Sequence, residues 1–83
     1  MKYKANIDIM PLDELLDPQG KAVGSALKRL KIEPLNVRVG KHILIEIEAE
    51  GEEDAKSKVE AACKNLLANP VIEKFDYHLE PVQ

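Results

Sequence analysis

Polar and apolar residues alternate from Lys2 to Met10, with Tyr3, Ala5, Ile7 and Ile9 on one face and Lys2, Lys4, Asn6 and Asp8 on the other. A period of two over this length predicts a half-buried strand that Pro11 brings to an end. Asp17-Pro18 then reads as a helix start, because a carboxylate can cap free amides and proline suits the first helical position. Val23, Ala26, Leu27 and Leu30 follow at helical spacing, Lys28, Arg29 and Lys31 suit the negative end of the helix dipole, and Pro34 stops the helix.

Alternation returns as Leu35, Val37 and Val39, and again after Gly40-Lys41 as Ile43, Ile45, Ile47 and Ala49. The pattern predicts a hairpin, with Gly40 supplying the positive φ of a type II′ turn. From Glu52 the period changes: Ala55, Val59, Ala62, Cys63, Leu66 and Leu67 mark an amphipathic helix that Asn69-Pro70 ends. Phe75, Tyr77 and Leu79 alternate with Lys74, Asp76 and His78 as a fourth strand reaching about Glu80-Pro81. The order βαββαβ, with both crossovers right-handed, predicts an α+β fold: a ferredoxin-like sandwich of a four-stranded antiparallel sheet with two helices on one face.

Eighty-three residues predict one domain, 1–83, whose small core would gain from oligomerisation. The formal charge of −3, with Lys and Arg read as scattered among acids, argues against a nucleic-acid surface. No apolar run approaches the length of a membrane span and the first residues lack a signal-peptide stretch, so the cytoplasm is the expected compartment. Cys63 is the only cysteine, which excludes an intrachain disulfide and any zinc site built on two thiolates.

A search for catalytic groups finds none complete. Ser25, Ser57 and Cys63 all fall within predicted helices, and Cys63 shares the apolar stripe of Val59, as a small buried hydrophobe does. His42 and His78 lie on the polar sheet face without a ligand motif, so no metal is expected. Asp13, Glu14 and Asp17 read as a solvated loop and a cap, and Gly20 and Gly24 fit neither phosphate-loop spacing. The aromatics of an RNA recognition sheet and the paired cysteines of a metallochaperone are both missing.

Three segments carry more information: Asp17-Pro18-Gln19-Gly20-Lys21-Ala22-Val23, Val37-Arg38-Val39-Gly40-Lys41, and Leu66-Leu67-Ala68-Asn69-Pro70-Val71-Ile72-Glu73. At these separations the set resembles the PurS family, the small subunit of phosphoribosylformylglycinamidine synthase of purine biosynthesis, across essentially the whole chain. The resemblance implies a self-associating subunit, a homodimer or higher homo-oligomer, that joins a glutaminase subunit to a large synthetase subunit. That complex converts formylglycinamide ribonucleotide, glutamine and ATP to formylglycinamidine ribonucleotide, ADP, phosphate and glutamate. The glutaminase cysteine and the site using ATP and Mg belong to the other two subunits, so no cofactor is expected on this chain. Docking of the glutaminase and support of ammonia transfer are the implied roles.

Read as residues, Asp17, Pro18, Gly20, Gly40, Asn69 and Pro70 have fold-defining roles as caps, turns and stops. Gln19, Arg38 and Lys41 are the candidate partner contacts, Arg38 because a guanidinium beside a hairpin tip can hold a partner carboxylate by two parallel hydrogen bonds. The rival reading is a small-molecule regulatory module with a ligand site at a dimer interface.

Overall fold

The computed structural model describes residues 1–82. β1, Lys2–Pro11, is the central strand of an antiparallel sheet, flanked by β2, Lys41–Glu48, and β3, Glu73–Val82, in the order β2-β1-β3. The register sets Ile7 opposite Ile43 on one side and Tyr77 on the other, and Ala5 opposite Ile45 and Leu79. Strands of period two in this register put every apolar row on one face. Tyr3, Ala5, Ile7 and Ile9 are buried there, as the alternation predicts.

α2, Glu52–Ala62, covers that face through Ala55, Val59 and, just beyond it, Cys63, all without solvent exposure. Burial of a side chain such as Ile7 or Val59 contributes about 1.5–3 kcal/mol, so the layer of β1 against α2 is where the stability of this chain is concentrated. Glu52, Glu53 and Asp54 in the first turn suit the positive end of the helix dipole. Tyr77 on β3 donates to Glu60 at 2.8 Å and ties the sheet to the helix. Partial burial and that carboxylate push the Tyr77 pKa up to about 12.

The last turn of this helix departs from the expected stripe. Cys63–Leu67 is a π-helical turn, with Ala68 N donating to Cys63 O at 3.0 Å. Its extra residue per turn shifts the phase, so Leu67 and Ala68 pack on the core and Leu66, expected on the stripe, is exposed.

Two expectations are corrected. Leu35–Val39 is not a strand of this sheet, which has three strands and not four. Gly40 has no positive φ, so no type II′ turn doubles the chain back at Gly40-Lys41, and 35–39 leads into β2 instead of pairing with it. The first helix is also not a layer on the sheet. α1, Pro18–Arg29, buries Gly20 alone and supplies no residue to the core, while Val23, Leu30, Ile32 and Leu35 are exposed. Helix and return segment thus form an arm beyond the sheet. The radius of gyration is 16.2 Å, against about 12 Å for a compact domain of this length.

α1 ends in a Schellman motif. Ile32 N donates to Leu27 O at 3.0 Å and Lys31 N to Lys28 O at 2.9 Å, with Lys31 at φ 65°. A side chain in that left-handed position costs about 1 kcal/mol that glycine avoids. Lys31→Gly is therefore expected to stabilise the chain by about that amount in urea unfolding; an unchanged or lower midpoint would contradict the reading of this cap.

Candidate functional site

The three segments singled out in the sequence meet at one end of the sheet, where the arm joins it. Asp17 stands at the centre. Its Oδ1 accepts from Gly20 N at 3.0 Å, which caps α1, and its Oδ2 accepts from Val39 N at 2.8 Å, which ties the return segment to the helix start. These amides, Val39 first and Gly20 second, hold the Asp17 carboxyl below the usual carboxylate range, and Arg38 adds to the effect.

Two glycines permit this closeness. A Cβ on Gly20 would collide with Val37 O and lie 2.7 Å from Asp17 Oδ2. One on Gly40 would collide with Ile9 O and the Met10 sulfur, so here glycine serves close backbone approach, not a turn. Gly24 faces Val37 Cγ2 at an ordinary 3.6 Å, with room for a methyl.

Arg38 differs from its expected role. Nη1 donates to Leu15 O at 2.9 Å and Nη2 to Leu12 O at 2.6 Å, so the fork closes on the loop between β1 and α1 of its own chain. It is a positioning residue for that loop. Lys41 is exposed, 3.9 Å from Glu73 Oε2, and the other oxygen of Glu73 accepts from Asn69 N at 2.7 Å. Asn69 Oδ1 accepts from Val71 N, and Leu12 N donates to Ile72 O at 2.9 Å, which locks the third segment beside the first. Pro18 opens α1 and Pro70 follows Asn69 into the turn before β3. Gln19 is exposed on a shallow cleft of about 480 Å³ shared with Leu15, Leu16, Val39 and Ile72.

The remaining candidates stand apart from this junction. Cys63 is buried, and burial pushes its thiol pKa up, which removes nucleophilic character. His42 Nδ1 lies 2.7 Å from Asp8 on the outer sheet face, and His78 stands opposite Asn6. Among the described residues no group of three or more His, Cys, Asp or Glu is arranged to hold a metal ion.

Sequence reasoning missed two features. Glu73 was not singled out within its segment, although it bridges Asn69 and Lys41. The basic residues are also not scattered: between Pro18 and Lys41 stand Lys21, Lys28, Arg29, Lys31, Arg38 and Lys41 against Glu33 alone, a formal +5. The total of −3 leaves −8 on the rest of the chain. A running charge window shows this; only the fold shows that the window is the arm together with the first residue of β2.

The junction and its arm offer surface and charge. The family model described as PurS, phosphoribosylformylglycinamidine (FGAM) synthase, matches residues 4–81. The FGAM synthase subunit PurS of Methanocaldococcus jannaschii is 38% identical over 82 residues, 98% of this chain and 99% of that one. The solved structure of Thermus thermophilus PurS superposes with a TM-score of 0.87 at 38% identity over 100% of both chains. A chain in the structure of PurLQS from Thermotoga maritima matches with a TM-score of 0.87 at 34% identity, covering 96% of this chain and 99% of that one.

Gly20→Ala is expected to lower the melting temperature by disrupting the junction, whereas Gly24→Ala, in a helix interior with space, is expected to stabilise by about 0.5–1 kcal/mol. Equal effects of the two would remove the close-approach argument.

The Asp17 pKa is depressed on folding, so its contribution is fully present above the ordinary carboxylate value near 3.8 and is lost as pH falls through the lower folded value. The difference in melting temperature between the wild type and Asp17→Asn should accordingly be constant at neutral pH and close below that value. A gap that does not narrow as pH falls below 3.8 would show that the charge is not what binds the two amides.

Proposed function

The chain belongs to the PurS family, and from that premise we propose that it is a non-catalytic assembly subunit, bridging the glutaminase and synthetase subunits and supporting ammonia transfer between them. It is a subunit of FGAM synthase, a ligase complex of purine biosynthesis. The observation that carries the proposal is the match along nearly the whole chain to a protomer of PurLQS, a complex of this kind. In this reading glutamine hydrolysis and the use of ATP and Mg fall to the other two subunits, in the cytoplasm. Among the described residues no helix is long and apolar enough to cross a membrane.

Self-association is part of the same proposal. An arm that leaves Val23, Leu30, Ile32 and Leu35 exposed does not bury its own apolar face, and a second copy or a larger partner removes that cost. Gln19 and Lys41, exposed beside the junction, are the contacts proposed for the other subunits.

Reconstitution tests the subunit role. Glutamine-dependent formation of FGAM by the synthetase and glutaminase subunits should need this chain, whereas ammonia-dependent formation should need it much less. Equal glutamine-dependent rates with and without the chain would remove the assembly role.

A further inference from the structure

α1 and the segment returning from it flank an open cleft of about 370 Å³ on the arm. The helix carries glycine where the return segment crosses it: Gly20 lies against the carbonyl of Val37 and Gly24 against its side chain, with no Cβ to hold them apart. Beside these glycines Lys21, Ser25 and Lys28 follow at steps of four and three, which stacks them on one helical face along the cleft. Asn36 and Arg38 line it from the return segment.

Positive charge is uncompensated there. Among the described residues Lys41, Lys56, Lys58 and Lys74 each pair with a carboxylate, whereas Lys21 and Lys28 take part in no ion pair. The side chains of Ser25 and Asn36 likewise make no hydrogen bond among the described residues. Arg38 donates to Leu12 O and Leu15 O, two neutral acceptors that leave its charge in place. The one carboxylate of the cleft, Asp17, already accepts from the amides of Gly20 and Val39. Three cations against one engaged carboxylate give the cleft a positive field, which its concave wall focuses.

We propose that this cleft binds a phosphate group, free or carried as a compact monoester, with Lys21 and Lys28 on its oxygens and Ser25 and Asn36 donating to the phosphate or to hydroxyls beside it. The chemistry selects the class. A lysine ammonium meets phosphate as a point charge, and a phosphomonoester, close to a dianion at neutral pH, answers two free cations where a carboxylate answers one. The volume is at the small end of ligand sites, and no aromatic side chain lines it, so nothing there stacks on a nucleobase. Recognition therefore reaches the phosphate and a group the size of a sugar. The glycines do not form a phosphate loop; they bring the return segment onto the helix, and side chains supply the donors. A ligand held between α1 and 34–38 adds a second fastening to an arm otherwise tied at Asp17. The site stands on this chain alone and does not depend on the assembly role.

The test uses the full chain and follows backbone amide shifts by NMR during titration with ribose 5-phosphate, inorganic phosphate and ribose at constant ionic strength. Saturable shifts confined to 20–28 and 34–38 are expected with ribose 5-phosphate, and none with ribose. Equal affinity for inorganic phosphate supports the site and assigns it to the free anion; tighter binding of the sugar phosphate supports it and assigns it to the ester. Lys21→Gln and Lys28→Gln should each weaken binding about tenfold, with the melting temperature of the unliganded chain unchanged. Lys64→Gln, which removes an exposed cation from the body, should leave the affinity as it is. An equal loss with Lys64→Gln overturns the site, because it reduces binding to general charge attraction. Shifts spread over the whole surface, or no saturation by about 10 mM, overturn it as well.

Discussion

The carboxylate of Asp17 is the contact on which the arm depends. With one oxygen on the amide of Gly20 and the other on that of Val39, it starts a helix and fastens the segment returning from that helix. A neutral side chain could accept one of these bonds; the charge lets both be strong. Around this point Arg38 draws in the loop at Leu12 and Leu15, Gly20 and Gly40 allow backbones to approach, and the Asn69–Glu73 turn closes the end of the sheet. The arm is held at its base by polar contacts and has no apolar core of its own.

The two parts of the chain are accordingly stabilised by different physics. The body is a sheet of three strands under one helix, stabilised by burial of Ile7, Ile9, Val59 and their neighbours. The arm has a capped helix, a Schellman ending and a charge-anchored return, and its apolar residues meet solvent. Apolar surface left uncovered on an arm is surface that a partner can bury. The one thiol of the chain is buried, and the carboxylates of Asp17 and Glu73 act as cap and tie.

Much of the fold was legible in the pattern of residues. β1, α1, β2, α2 and β3 follow from periods of two and 3.6, from Asp17-Pro18 as a start and from Asn69-Pro70 as a stop. The motif residues were legible as a set, but not their meeting, because Asp17, Val39 and Glu73 are far apart in sequence and nothing local records that they share one end of a sheet. Arg38 shows the limit well. Its position suggested a partner carboxylate, and only the fold shows two carbonyls of its own chain within reach.

What the sequence alone determined is therefore the local layer: which segments are helix or strand, and which face of β1 is apolar. Periodicity and capping are properties of near neighbours, so one chain read by itself suffices for them. Tertiary structure decided that Leu35–Val39 does not fold back on β2, that α1 stands off the sheet, and that five basic residues gather on one arm. A strand-like pattern makes a segment able to pair and does not specify with which edge. Here the Val39 amide is already committed to Asp17, and Gly40 lies against β1 without turning the chain, so the hairpin read from the sequence does not form.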